Sequence, residues 1–133
     1  QRAGIAVTTT SDIAIIRADR LRFRQILRNL LSNATRYGGT KRSVRICVRD
    51  NFGVVEVRDN GEPIPAEVRE RIFDPYTRAQ ERPGMAASVG LGLSISRQLA
   101  RLMRGDVTYA REDGESVFRL TLPLADIRAV GAA

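Results

Sequence analysis

The apolar residues of this 133-residue chain change period along its length, and that change limits the folds open to it. Phe23, Ile26, Leu27, Leu30, Leu31 and Ala34 recur at steps of three and four, the signature of one helix face. Val44, Ile46 and Val48 then alternate with Ser43, Arg45 and Arg49, the pattern of a strand with two unlike faces. Leu91, Ile95, Leu99, Leu102 and Met103 return to helical spacing. A chain that interleaves both periods must bury helix stripes against a sheet face, because neither surface is stable alone in water.

Punctuation residues set the boundaries. Asp19 is placed to cap the first helix, which the spacing predicts from 19 to about 37, where Gly38 and Gly39 stop it. Ahead of it, residues 5–10 and 13–17 are short and β-branched, predicting two strands joined by a tight turn near Ser11 and Asp12. Asn51, Phe52 and Gly53 are expected to turn the 44–49 strand into an antiparallel partner at Val54, Val55, Glu56 and Val57. Pro65 suits the first position of a helix from 66 to about 73, ended by Pro75. Residues 76–89 lose periodicity and read as a long lid-like loop. Gly105 is expected to end the second long helix, and Asp113 and Gly114 to turn a last hairpin between 107–110 and 117–122, closed by Pro123. Residues 125–133 read as a frayed tail of one domain covering 1–133. The order predicts a two-layer α/β (α+β) sandwich, with a mixed, mostly antiparallel sheet and three helices on one face.

Arg22, Gln25, Asn29, Asn33 and Arg36 share the first helix's face opposite the leucines. Such a face ordinarily meets solvent. Asparagine, however, is a poor helix former, and its side-chain carbonyl is a hard oxygen donor suited to Mg2+. Asp59-Asn60-Gly61 closes a strand and by itself is an ordinary turn. A carboxylate there can also accept a hydrogen bond from an exocyclic amine, while the glycine lets a flat base approach the backbone. Gly90-Leu91-Gly92-Leu93 opens a helix, whose free amides favour an anion such as a triphosphate.

Composition removes several classes. The net charge of +7 is almost wholly arginine, Lys41 being the one lysine, and the arginines are scattered. With aromatics at 5%, that scatter argues against a nucleic-acid surface. The absence of histidine excludes histidine acid–base catalysis and histidine metal ligation. Cys47 has no disulfide partner and no ligand set, and reads as a buried structural thiol. No apolar run approaches the roughly 20 residues that span a bilayer. A Gly-x-x-x-x-Gly-Lys-Ser/Thr phosphate loop is also missing.

In this order, over nearly the whole chain, these residues resemble the N, G1, F and G2 boxes of the catalytic, ATP-binding domain of sensor histidine kinases, with its Bergerat (GHKL) fold. The resemblance implies ATP and Mg2+ as cofactors, with Asn33 as the metal ligand and Asn29 as the first N-box asparagine. It implies Arg36 near the phosphates, Tyr37 near the nucleoside, and Asp59 on the adenine amino group, with Gly61 and Ile64 in the same loop. Arg71-Ile72-Phe73-Asp74-Pro75-Tyr76 looks like the F box, which brings Phe73 to the nucleotide, and Arg78 matches a lid arginine that reaches phosphate. Gly90, Leu91, Gly92 and Leu93 match the G2 cradle, and Asn29, Asn33, Arg36 and Arg78 would serve the transfer. Pro63 stands where the G1 box usually has its second glycine, removing a backbone donor, and Ser88 replaces the first G2 glycine.

The expected activity is transfer of the γ-phosphoryl group to a histidine on a separate dimerisation and phosphoacceptor domain, of the same protein or a partner chain. A response regulator would act downstream. The chain is expected to be a fragment or to depend on that separate domain, since it has no histidine of its own. It is expected to be monomeric and cytoplasmic, with no nucleic-acid partner and a parent attached to the inner membrane. The alternative is a degenerate interaction module of the same fold with weak or no ATP binding, to which Pro63 and Ser88 point. A gyrase-like hydrolase or a serine-directed anti-sigma kinase is disfavoured. Those enzymes tend to place a glutamate where this chain has Asn29, and an amide does not take a proton from water as a carboxylate does.

Overall fold

A computed structural model describes residues 6–9, 19–37, 39–75 and 89–124. The elements in order are β1 (Ala6–Thr9), α1 (Arg20–Tyr37), β2 (Arg42–Arg49), β3 (Phe52–Asp59), α2 (Ala66–Arg69), α3 (Val89–Leu102), β4 (Asp106–Glu112) and β5 (Glu115–Pro123). The strands form one sheet in the order β1-β2-β3-β5-β4. β1 pairs parallel with β2, and every other neighbouring pair is antiparallel. The expected strand at 13–17, the lid, and the tail at 125–133 lie outside the described residues.

Register explains the core. On the face toward α1 and α3, Ile46, Val55, Leu120 and Val107 form one row across four strands, and Val44, Val57, Phe118 and Tyr109 form the next. Val55, Val57, Val107, Phe118 and Leu120 join Ile26, Leu30, Ala34, Ile72, Ala100 and Met103 in one buried cluster. One step further along, the row turns polar: Arg42, Asp59, Ser116 and Arg111. The core thus ends at one margin of the sheet in a line of hydrogen-bonding groups.

The opposite face is held by charge. Glu56 is fully buried and accepts hydrogen bonds from Arg58 Nε at 3.1 Å and Arg119 Nε at 2.6 Å. Both arginines also reach Glu112. Burial pushes the Glu56 carboxyl up, but the hydrogen bonds and charges of Arg119 and Arg58 outweigh it and hold the group below the usual carboxylate range. Val54 and Val117, on the same face, are buried as well.

Asp19 caps α1 as its sequence position implies, its Oδ1 accepting from the amides of Leu21 at 2.9 Å and Arg22 at 3.1 Å. Four local expectations are corrected. The β2–β3 hairpin turns on Asp50 and Asn51, at φ 51° and 68°, so Phe52 already lies in β3 opposite Arg49 and Gly53 opposite Val48. A two-residue loop with both residues left-handed matches the twist of the strands, and Asp and Asn tolerate that conformation.

The helix expected from 66 to about 73 is only one turn long, and Pro65 precedes it at φ −56° and ψ 140°. Beyond it the bonds from the Arg71 amide to Val68 O and from the Asp74 amide to Arg71 O each span three residues, a string of tight turns. Bringing Ile72 and Phe73 onto the core prevails over propagating a short, weakly nucleated helix.

At the end of α3 the left-handed residue is Arg104, at φ 64°, with the Gly105 amide bonded to Ala100 O at 2.8 Å. Gly105 is glycine for another reason: a Cβ there would lie 1.9 Å from Thr121 O. Cys47 is half-buried rather than buried, because β2 alternation turns it to the side of Val54, away from the helices.

Candidate functional site

Three segments converge at the polar margin of the sheet: the second half of α1, the loop after β3, and the start of α3. The helices run antiparallel, since the Asp19 amide meets Met103 Sδ at 3.3 Å while Asn29, ten residues later, meets Gly92 and Ser96. Asn29 Nδ2 donates to Gly92 O at 3.2 Å and Ser96 Oγ at 3.0 Å, and its Oδ1 accepts from Gln25 Nε2 at 3.3 Å. The amide of Asn29 is therefore occupied by the protein itself.

Asn33 lies one turn further along α1, about 6 Å on. It stands level with the opening turn of α3, which holds Gly90, Leu91 and Gly92. Asn33 is half-buried, and its side chain makes no hydrogen bond with another described residue. Its oxygen remains a hard donor of the kind Mg2+ takes, while the nearby helix N-terminus favours a phosphate anion rather than the cation. Among the described residues no group of three or more acidic, Cys or His side chains could hold a metal.

Asn60, which the sequence reading passed over as part of a turn, joins two of the segments. Its Oδ1 accepts from the Lys41 amide at 2.9 Å, its Nδ2 donates to Thr40 Oγ1 at 3.3 Å, and its own amide donates to Lys41 O at 3.1 Å. A Cβ on Gly39 would come within 2.4 Å of Asn60 Oδ1 and 3.0 Å of Gly61 N, so a side chain there would push the Asn60 amide off Lys41. The chain leaving α1 is thereby stitched to the loop leaving β3.

Asp59 is 6% exposed and sits in the polar row between Arg42 and Ser116. Its Oδ1 accepts the Gly61 amide at 2.9 Å, and Oδ2 has no hydrogen bond with a described residue. Burial pushes its carboxyl above the ordinary aspartate range, against the pull of the Gly61 amide and the charges of Arg111 and Arg42. Gly61 O accepts from Arg111 Nη1 at 2.8 Å, the Ile64 amide donates to Tyr109 Oη at 3.1 Å, and Ile64 O accepts from Arg69 Nε at 2.9 Å. The amides of Gly61 and Ile64, which flank the Glu62–Pro63 pair, are thus satisfied without a donor at Pro63. Arg69, Tyr109, Arg111 and Ser116 were not among the sequence candidates. For Tyr109, Arg111 and Ser116 the only signal was a polar residue at the inward positions of the last hairpin, and Arg69, in α2, had none.

Phe73 is half-buried against the core, with the Arg97 guanidinium 4.6 Å from its ring centroid and Arg97 paired with Asp106 at 3.0 Å. Leu93 also packs on the core. Arg36 and Tyr37 close α1, and Arg78 lies outside the described residues. The structure therefore gathers Asn33, Asp59, Gly61, Ile64, Gly90, Leu91 and Gly92 round one margin, with Asn29 as a tie and Phe73 and Leu93 as packing beneath.

The family model described as histidine kinase-, DNA gyrase B- and HSP90-like ATPase matches residues 18–126. Sensor protein CutS of Streptomyces coelicolor is 34% identical over 126 residues, which cover 91% of this chain and 30% of that protein. Sensor histidine kinase GlrK of Escherichia coli is 38% identical over 112 residues, covering 80% of this chain and 23% of GlrK. Among solved structures, the nucleotide-free catalytic domain of histidine kinase ThkA aligns with a TM-score of 0.77 at 30% identity, covering 90% of this chain and 77% of that one. Full-length ShkA in complex with AMPPNP aligns with a TM-score of 0.75 at 29% identity, covering 91% of this chain and 25% of ShkA. The chain thus spans less than a third of these curated relatives.

Proposed function

The chain belongs to the histidine kinase-, DNA gyrase B- and HSP90-like ATPase family, as a catalytic ATPase domain of the sensor histidine kinase kind, and from that premise we propose that it binds Mg-ATP and passes the γ-phosphoryl group to a histidine. The observation that carries the reading is the meeting of Asn33, the Asp59 loop and the start of α3 at one margin of the sheet, each with an unspent group. Asp59 Oδ2 accepts from the adenine amino group, while the bond to the Gly61 amide fixes the carboxylate plane. The first amides of α3 face the phosphates, and Asn29 holds that turn against α1. Mg2+, held by Asn33, would offset phosphate charge. Arg36 and Arg78 add positive charge near the phosphates and Tyr37 flanks the nucleoside. Phosphoryl transfer of this kind needs positioning and charge compensation more than covalent chemistry from the protein.

The acceptor comes from outside these 133 residues, which contain no histidine. In this reading it stands on a dimerisation domain of the same protein or a partner chain, with a response regulator downstream and the parent attached to the inner membrane. No helix among the described residues is long and apolar enough to cross a membrane. The interaction-module alternative draws on Pro63, yet the hydrogen bonds of Gly61 and Ile64 are made without a donor there, which supports a working loop. Calorimetric titration with an ATP analogue and Mg2+ tests the reading, with Asp59→Asn beside the native chain. Saturable binding that the variant loses is the expected result. No binding by a folded native chain would transfer the function to the interaction module.

A further inference from the structure

We propose that Tyr109, Arg111 and Ser116 on the β4–β5 hairpin, together with Arg69, are positioning residues that clamp the 59–64 loop in the shape that selects the nucleotide base. The inference rests on the nucleotide reading of this margin and deepens it. Between Asn60 and α2 the chain belongs to no helix or sheet ladder, and Pro63 and Pro65 supply no amide. A segment so placed adopts one shape only if other elements take its polar groups.

Each partner is a side chain from outside the loop, Tyr109 and Arg111 on β4 and Arg69 on α2. Arg111 Nη1 takes Gly61 O at 2.8 Å, Tyr109 Oη takes the Ile64 amide at 3.1 Å, and Arg69 Nε takes Ile64 O at 2.9 Å. The clamp is also linked within itself. Ser116 Oγ shares a hydrogen bond with Tyr109 Oη at 2.9 Å and accepts from Arg111 Nη1 at 3.1 Å. Ser116 is 4% exposed and lies directly opposite Asp59 in the β3–β5 ladder, so the clamp is registered against the carboxylate it serves. Arg111 Nη2 holds Gly114 O in the hairpin turn at 2.9 Å. The Tyr109 ring packs on Phe118 at 5.1 Å with the Arg69 guanidinium 5.4 Å from its centroid, which sets where its hydroxyl can be.

The clamp matters for selectivity because a carboxylate accepts a hydrogen bond from any amine. Guanine also bears an exocyclic amine, on another ring position, and presents a carbonyl where adenine has its amino group. Rejecting it requires the loop backbone to close on the ring edge in one shape, so that the carbonyl meets the carboxylate. A loop free to shift would relax that mismatch.

The test titrates the 133-residue chain with Mg-ATP and, by competition, Mg-GTP, and follows amide hydrogen exchange without nucleotide. Tyr109→Phe removes only the hydroxyl and keeps the ring. Arg111→Lys keeps the charge and loses the fork whose Nη1 meets Gly61 O and Ser116 and whose Nη2 meets Gly114 O. Loss of one such hydrogen bond corresponds to about a fivefold fall in ATP affinity. The ATP-to-GTP affinity ratio should fall as well, and the Ile64 amide should exchange about tenfold faster in Tyr109→Phe. Amides of Val55 and Val57 should be unchanged, which shows that the sheet is intact. Equal falls in ATP and GTP affinity, unaltered selectivity, or an unaltered Ile64 amide would overturn the clamp while leaving the nucleotide site standing. A native chain that binds neither nucleotide would sink the nucleotide reading and the clamp with it.

Discussion

Burial opposes ionisation of Asp59 more strongly than the Gly61 amide, Arg111 and Arg42 favour it, so the folded chain takes up a proton there at a pH where an exposed aspartate is still ionised. Two consequences differ in readout. Accepting from an adenine amine requires the ionised form, so ATP affinity of the native chain should fall as pH is lowered through this raised range. Because the folded state binds the extra proton, stability without nucleotide declines as pH rises from the ordinary aspartate value through the raised one. Above that window Asp59→Asn should therefore raise the urea midpoint of the empty chain even though it abolishes binding. An unchanged or lower midpoint would mean that burial does not dominate at Asp59. Glycine at 105 is a different residue-scale constraint. With Thr121 O only 1.9 Å from an added Cβ, Gly105→Ala should cost about 2 kcal/mol in a urea titration. Sequence alone suggested Gly105 as a helix stop. The close approach of β5 depends on a sheet contact that no local pattern records.

At the scale of elements, α1 and α3 were legible because each carries several turns of strict period and α1 has a side-chain cap that reads directly from Asp19. The segment after Pro65 was not. Its shape follows from the burial of Ile72 and Phe73 on distant elements, and a four-residue helix leaves no period to read. The Asp50–Asn51 loop was displaced in the reading by Gly53, whose place in the ladder opposite Val48 becomes visible only once the strands are paired. The β3 strand also supplies the element-scale prediction. Glu56 joins β3 to β5 through Arg119 and lies against Arg58, with no exposure of its own. Glu56→Gln leaves Arg58 and Arg119 with only the partly exposed Glu112 carboxylate in common, and should cost about 3 kcal/mol at neutral pH. Since the pairing holds the Glu56 carboxyl below its usual range, its contribution is complete above the unfolded carboxylate pKa and is lost as pH falls through the folded one. The native and Glu56→Gln midpoints should accordingly converge on acidification. A constant gap would place the stabilisation in packing rather than charge.

At the scale of the whole molecule, the layered architecture follows from interleaved periods, but the position of β5 between β3 and β4 does not. That order puts Ser116 and Arg111 on the same row as Asp59, and so creates the polar margin where the three segments meet. The sequence boxes showed which residues to gather, and the stitch from Asn60 to Lys41 with the tie from Asn29 to α3 shows how they are gathered. Asn29 and Asn33 look alike in the sequence and separate only in the fold, one spent on Gly92 and Ser96, the other with a side-chain amide that bonds no other described residue. This division of labour gives a prediction that spans the molecule. With labelled ATP and Mg2+, the chain alone should gain no phosphohistidine, having no histidine, and label should appear on an added histidine-bearing domain at a rate that saturates with that domain. Asn33→Ala should lose transfer together with the Mg2+ dependence of nucleotide binding. Asn29→Ala should retain the Mg2+ dependence but weaken binding about threefold to tenfold, the loss of the tie that steadies the first turn of α3. If Asn29→Ala instead abolished the Mg2+ dependence, the two asparagines would share the metal and Asn29 would be more than a tie to α3.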